Sequence, residues 1–413
     1  MSGGNSMDEV VITGLGPVAP NGIGINAYWD AITSGRSGIK RIVSFNPSGL
    51  PCRIAGEIKS ADLTNCNGYY NGNLPDSKAC KLSVIATMLA LEDAGLSPED
   101  LADYRTAVYM GVSTTDMEVV QREFHLFEDK GMAAPDSLIS AFPHTPAVIV
   151  SQVLKSYDKV ITISTACTSG LNSIIFGAES IARGDADLVI AGGVDTPLSP
   201  LVLSGFCSAK MVPTSYNDQP EKACRPFDID REGGVLSEGA GVVILERKKN
   251  ALRRNGKIYA NFSGGGLSTI YSLKKMKTTI YDAMEHALEN SALTPAEIDY
   301  ICACAPGDPV IDRVETTAIK DLFKRRAYSV PISSIKSMIG NPGAAAGPLQ
   351  AITAAMSIRN NFVPPTINLE KPGKSCDLDY VPGTGRTARV NRALVNVRGF
   401  GGGISSLVLS SAT

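Results

Sequence analysis

A chain of 413 residues is too long for one small core, so one large α/β unit or two fused halves is expected, and either can enclose a site. With 44% hydrophobic residues, 19% charged residues and a formal net charge of -2, the composition is that of an ordinary globular protein without the cationic excess that would draw nucleic acid nonspecifically. No run approaches the ~18 apolar residues of a membrane span, and Met1 to Asn5 lack the basic and apolar parts of a signal peptide, so a cytoplasmic protein with no membrane partner is expected.

Val10 to Gly14 reads as a buried strand, and Asn26 to Ser34 as a helix carrying the sole tryptophan, Trp29, on its apolar side. Between them Gly14-Leu15-Gly16-Pro17-Val18-Ala19 matches a G-x-G-x-x-A dinucleotide fingerprint by letter. Pro17 and Pro20 interrupt the helix start whose N–H groups would hold a pyrophosphate, so the run is read as a tight turn after a strand. The pattern continues with a helix from about Ala79 to Ala94, a strand Thr106 to Val112, a strand Val160 to Ile163 feeding a helix after Cys167, and a strand Leu188 to Ile190. Such alternation favours a mainly parallel sheet covered on both faces.

After the strand Val242 to Glu246, the cationic run Arg247-Lys248-Lys249 with Arg253-Arg254 reads as a solvated helix and linker, and the division into 1–250 and 251–413 is placed there. The second part restarts with a strand Ile258 to Phe262, a helix Lys277 to Ser291, a strand Tyr300 to Ala303, a helix Arg313 to Phe323 and a closing strand Ser405 to Ser410. The shared rhythm suggests an internal duplication, although no repeat is visible residue by residue.

Nine cysteines, an odd number without the density of a disulfide scaffold, fit a reducing compartment; histidines number three, His125, His144 and His286. Thr165-Ala166-Cys167-Thr168-Ser169-Gly170 lies between a β-branched strand and a helix with Leu171, Ile174, Ile175 and Ala178 at helical spacing, which puts Cys167 at a helix N-terminus. The free N–H groups and dipole there are expected to lower the thiol pKa and suit a nucleophile; a buried structural thiol among small residues fits the same stretch. Cys302 and Cys304 form a C-x-C without a second ligand pair, so no metal site is expected.

Ser164 to Gly170, Arg225 to Gly234 with Ser237 to Gly241, Lys336-Ser337-Met338-Ile339-Gly340, Val363 to Leu369 and Gly399-Phe400-Gly401-Gly402 stand in an order that resembles the β-ketoacyl-[acyl-carrier-protein] synthase II group from Val10 to Leu409. The resemblance implies an α/β, thiolase-like fold of duplicated halves in five αβαβα layers, usually dimeric through strands near the active site. It implies an acyl chain taken by Cys167 from the phosphopantetheine arm of an acyl carrier protein, with no further cofactor. The backbone N–H groups of Cys167 and Phe400 would hold the oxyanion, and Phe400 with Gly401 would gate the acyl pocket from the extender side.

This chain departs from the family at the extender side. The family's two histidines, which hydrogen-bond the thioester oxygen of a malonyl extender, are replaced by Cys304 and Asn341, and the threonines that hold the pantetheine by Pro306 and Asp308. An amide still donates to an oxyanion, whereas a thiol is a weak donor, and loss of one good donor costs on the order of 100- to 1000-fold in rate. Lys336 and Glu315 match the family's buried charge pair, Glu315 reading as structural and Lys336 as either structural or catalytic, while His144 reads as a loop or core histidine. For carrier docking, where members have a basic run, this chain has Lys78 and Lys81 offset by Asp76; Lys324-Arg325-Arg326 is a second candidate or a solvated helix end. Two functions fit: an acyltransferase of fatty-acid or polyketide type loaded on Cys167 with malonyl condensation impaired, or a non-condensing, chain-length-factor-like partner of a complete ketosynthase. The first works as a homodimer, the second as a heterodimer with another ketosynthase subunit.

Overall fold

The computed structural model describes residues 9–59, 75–135, 137–155, 158–270 and 272–412, and Met1 to Asn5 lie outside them. In chain order the first half contains β1 (Val10–Ala19), α1 (Ile25–Thr33), α2 (Lys78–Ala94), β2 (Thr106–Asp116), α3 (Met117–Lys130), α4 (Thr145–Leu154), β3 (Lys159–Ile163), α5 (Ser169–Ala182), β4 (Leu188–Thr196), α6 (Pro200–Ser208) and β5 (Gly239–Arg247). The second contains β6 (Ala260–Thr269), α7 (Met276–Asn290), β7 (Tyr300–Cys302), α8 (Ile311–Phe323), β8 (Ile332–Ser333), α9 (Ala346–Asn360), β9 (Arg392–Arg398) and β10 (Gly403–Ser410).

The strands lie in the order β8-β7-β9-β10-β6-β1-β5-β4-β2-β3. Within each half the first strand pairs with the last, the last with the fourth, the fourth with the second and the second with the third. Directions repeat as well, so the duplication suggested by rhythm is present in topology. The halves meet where Val11 and Ile12 pair with Asn261 and Ala260. The sheet is mixed rather than mainly parallel: β2, β3 and β4 run parallel, but β1, β5 and β4 alternate in direction, as do β6, β10 and β9. Periodicity carries no sign of strand direction, and a hairpin through Gly399–Gly402 forces β9 and β10 antiparallel.

Burial explains the layering. Helices α5 and α9 lie between the halves, with Leu171, Ile174 and Ile175 sharing one core with Leu349, Ile352, Val243 and Leu407. Leu82, Val84 and Val150 of α2 and α4 cover the outer face of the first half against Val108, Ile190 and Ile244. Ile280, Met284 and Ile319 of α7 and α8 cover the second against Leu394 and Val408. Helix α9 is buried all round, as a helix covered on every side must be.

The fingerprint-like run is not a turn. Gly14 to Ala19 continue β1, and a Cβ would lie 2.1 Å from Ala90 O at Gly14 and 1.8 Å from Ala86 O at Gly16, so these glycines admit α2. Pro17 is tolerated because past Ile12 the central part of the strand is paired on the β5 side. The cationic run is less solvated than expected. Arg254 binds the buried Glu246 and Arg247 binds Asp187, while Lys248–Arg253 form a short helix. Trp29 meets Phe362 edge-on at 6.2 Å.

At Gly170 in α5 a Cβ would lie 2.2 Å from Ala344 O. Alanine gains ~1 kcal/mol of helix propensity there, but forcing the central helices apart costs ~1–3 kcal/mol or more. Gly170→Ala is therefore expected to lower the unfolding free energy by about 2 kcal/mol in denaturant titration, whereas Gly49→Ala, which meets nothing within 4 Å, should leave it unchanged.

Candidate active site

The turn from β3 into α5 is held from several sides. Ala166 adopts φ 57°, a left-handed conformation unusual for a residue with a Cβ. Thr165 N donates to Ser169 Oγ at 2.8 Å, Asn172 Nδ2 donates to Thr165 Oγ1 at 2.9 Å, and Ser405 Oγ of β10 donates to Asn172 Oδ1 at 2.6 Å. Cys167 is thus presented two residues ahead of α5. The second half closes on it through Gly399, where a Cβ would lie 3.0 Å from Thr165 O, and the Phe400 N–H comes near enough to the Cys167 sulfur to favour its thiolate. Gly401 and Gly402 carry φ of 92° and 109°, and these left-handed residues let the hairpin turn there.

Burial pushes the Cys167 thiol up, opposed by the Lys336 charge, the Phe400 N–H and Arg398. The direction is opposite to the lowering expected at a helix N-terminus: Cys167 is only partly buried, but withdrawal from water there opposes the thiolate more than the donors and cations around it favour it. Burial also raises Cys304, again opposed mainly by Lys336. Lys336, buried itself, donates to Cys304 O at 2.7 Å and to Cys304 Sγ at 3.5 Å. Burial favours loss of its proton, but its pKa is raised all the same, and it stays an ammonium held by its hydrogen bonds to Cys304 with the Glu315 carboxylate nearby.

Glu315 does not bond Lys336 directly. Its carboxylate accepts the N–H groups of Cys304 at 2.9 Å and Ala305 at 2.8 Å, and the amide of Asn396 at 3.3 Å, which agrees with a structural part. Asn341 is fixed through its backbone, donating to Val235 O at 2.7 Å, while its buried Oδ1 has no hydrogen-bond partner among the described residues.

Two cavities meet at Cys167. One, of about 400 Å³, is lined almost wholly by apolar groups, among them Pro197, Val202, Phe206, Met211 and Leu236, with Phe400 at the junction. Asp195 lies in its wall, but its carboxylate is used: it accepts the N–H groups of Ser113 and Thr114 at 2.9 Å and of Ala344 at 2.5 Å. The other, of about 70 Å³, has Cys167, Cys304, Pro306, Asp308, Lys336, Asn341, Arg398 and Phe400 in its lining.

Among the sequence-derived site residues, Gly401 lines neither cavity and acts through backbone conformation. Asp308 lines the small cavity, but its Oδ1 caps α8, accepting the N–H groups of Val310 at 2.8 Å and Ile311 at 2.9 Å. None of the histidines lines either cavity: His125 faces Glu128, His144 stacks on Phe142, and His286 lies 3.4 Å from Leu267 O. Lys78 turns inward to Glu238 at 2.6 Å and Arg326 donates to Ile298 O, which thins both docking candidates. Sequence reasoning missed α6, whose Val202 and Phe206 stand at helical spacing after Pro200, and it missed Arg398, a lone cation ending an apolar strand. No cluster of metal ligands occurs among the described residues.

Residues 7–251 match the family model described as beta-ketoacyl synthase, N-terminal domain, and residues 259–370 match that of the C-terminal domain. The chain belongs to the β-ketoacyl synthase family. A 3-oxoacyl-[acyl-carrier-protein] synthase 2 of Coxiella burnetii is 35% identical over 97% of this chain and 98% of its own. The tetracenomycin polyketide synthase ketoacyl synthase alpha subunit of Streptomyces glaucescens is 36% identical over 97% of each. Among solved structures, the ishigamide ketosynthase/chain length factor covers 98% of this β-ketoacyl synthase at 28% identity and a TM-score of 0.91. A type II PKS acyl-carrier protein in complex with its ketosynthase bound to the hexaketide gives the same values. The architecture is the thiolase-like one of these synthases.

Since Lys336 is the largest influence holding the Cys167 thiol down, removing its charge should raise that thiol further. Below its pKa a thiol loses tenfold in thiolate per unit of rise, so Lys336→Met is expected to slow iodoacetamide alkylation of Cys167 at pH 7.5 by about fivefold or more. Peptide mass spectrometry across pH 7 to 10 checks this. An unchanged pH profile would remove Lys336 from the electrostatics of the site.

Proposed function

We propose that this β-ketoacyl synthase takes an acyl group from the phosphopantetheine arm of an acyl carrier protein onto Cys167 and passes it to an acceptor other than a malonyl-derived enolate. The observation that carries this reading is the asymmetry at Cys167: an apolar cavity of about 400 Å³ on one side, and on the other a cavity of about 70 Å³ with a thiol at Cys304 and no imidazole.

The chemistry follows from the groups present. A thiolate at Cys167 attacks the carrier thioester, and the N–H groups of Cys167 and Phe400 stabilise the oxyanion that forms. The apolar cavity then shelters the acyl chain beside the exposed Phe400 ring, which lies 6.3 Å from Phe206 and can separate the cavities. On the far side, the raised pKa of Cys304 keeps it a neutral thiol and a poor donor to an enolate, and Asn341 alone can assist. Condensation with malonyl groups is therefore slow. A cytoplasmic setting agrees with free thiols at every described cysteine.

A second subunit is supported by exposed apolar side chains on α3 and the segment after it, Phe124, Phe127, Ile139 and Phe142, and by the edge strand β3 with Val160. A homodimer accords with the acyltransferase reading. The alternative, a chain-length-factor-like subunit, is favoured by the missing histidines and opposed by the intact Cys167 turn. It requires a monomer that pairs with a complete ketosynthase, whose activity is then indifferent to Cys167→Ala.

Incubation with acyl-carrier substrates should add one acyl mass to Cys167, and Cys167→Ser should abolish the thioester. Intact-protein mass spectrometry reads this directly. An unmodified Cys167 under conditions that load an ordinary ketosynthase would contradict the proposal.

A further inference from the structure

Arg398 ends β9 in the wall of the small cavity, and its charge reaches both Cys167 and Cys304. Its backbone N–H donates to Cys304 Sγ at 3.3 Å, which fixes where the side chain starts. Its Nε is buried without a hydrogen-bond partner, and its guanidinium makes no ion pair among the described residues. Only Nε of this guanidinium is a buried orphan, and a buried donor left unpaired is costly, so a partner for it is worth seeking.

The other charges at the site are already engaged. Lys336 is held by Cys304, and Glu315 by two backbone N–H groups and Asn396. Asp308, the acid in the cavity wall, caps α8. The second orphan is Asn341 Oδ1, a buried acceptor on a residue that also lines this cavity. A planar fork of N–H donors fits a carboxylate in two parallel hydrogen bonds, and a carbonyl acceptor fits an N–H or O–H.

We propose that the small cavity is an acceptor seat in which Arg398 binds the carboxylate of a small amino or hydroxy acid and Asn341 Oδ1 accepts a hydrogen bond from its amine or hydroxyl, beside Cys167. The acyl-transfer step of this proposal rests on the loading of Cys167 described above; the anion seat does not. In that step the nitrogen or oxygen of the acceptor attacks the acyl carbonyl carbon, the new C–N or C–O bond forms and the C–S bond breaks. An amine acceptor first releases its ammonium proton to solvent and attacks as the neutral amine; the proton then lost from the amine or hydroxyl ends on the Cys167 sulfur, so the thiol is regenerated and an N- or O-acylated acid leaves. An arginine paired with a carboxylate stabilises it in the ground state, which opposes decarboxylation and favours an acceptor that keeps its carboxylate. The volume of about 70 Å³ admits a small polar acceptor rather than a chain.

The seat is tested without any acyl group by alkylating Cys167 with iodoacetate and with iodoacetamide, which differ in the carboxylate, and reading both rates by peptide mass spectrometry. The iodoacetate-to-iodoacetamide rate ratio is expected to be at least tenfold higher in the wild type than in Arg398→Gln, with Arg398→Lys between them. An equal ratio in all three overturns the seat.

Acyl transfer is then read by discharge of acyl-loaded Cys167 with glycine against glycinamide and with glycolate against glycolamide. The acid of the productive pair should act at least tenfold faster than its amide, and Arg398→Gln should erase that advantage; the pair that responds tells amine from hydroxyl. Acids no faster than their amides overturn the acceptor assignment. An Arg398-dependent alkylation ratio in a protein that takes no acyl group supports the seat and refutes the loading of Cys167 instead.

Discussion

The site depends on how closely the two central helices approach. Ala344 O, just before α9, sits where a Cβ on Gly170 or Gly193 would lie 2.2 Å or 2.5 Å away, and a Cβ on Gly347 would lie 2.6 Å from the Leu171 Cβ. Glycine at these positions brings the N-terminal ends of α5 and α9, one from each half, into contact between the halves. Asp195 ties that junction, joining the end of β2 to the N–H of Ala344, and Gly343 clears its carboxylate. Everything chemical follows from this placement. Cys167 comes with α5, Lys336 and Asn341 come with the approach to α9, and the β9–β10 hairpin brings Phe400 to the same cavity.

Burial and charge compete at this junction, and they resolve differently for different groups. For both thiols desolvation wins, and their pKa values rise although Lys336 and Arg398 pull them down. For Lys336 the pKa rises despite burial, and the ammonium persists on its hydrogen bond to Cys304 O beside the Glu315 carboxylate. The result is a cationic, thiol-lined cavity beside an apolar one, with Phe400 between. Such a pair of spaces suits an acyl chain on one side and a small polar partner on the other, and it lacks the imidazole that would stabilise an enolate.

Much of this was legible in the chain. Cys167 ahead of a helix followed from β-branched residues giving way to Leu171, Ile174 and Ile175, and the convergence of Cys304, Lys336, Asn341, Pro306, Asp308 and Phe400 followed from the family resemblance. Other features were hidden for physical reasons. Gly14 and Gly16 read as a turn because glycine marks turns and close approaches alike, and here a helix in another part of the chain makes the approach. Helix α9 was missed because a helix buried on every side has no polar face to set its period. The rise in the Cys167 pKa was invisible because desolvation is a property of the packed halves and not of the local turn. Arg398 escaped notice because one cation at the end of an apolar strand reads as a surface residue.

The central claim is that Cys167 hands on its acyl group without consuming a malonyl carboxylate. Its most direct test is a single-turnover experiment in which acyl-loaded protein meets malonyl-carrier protein and the carbon dioxide released is counted against the acyl groups lost from Cys167. Carbon dioxide far below one per acyl group discharged is the expected result. One carbon dioxide for each acyl group, at the rate of a complete ketosynthase, would contradict the account.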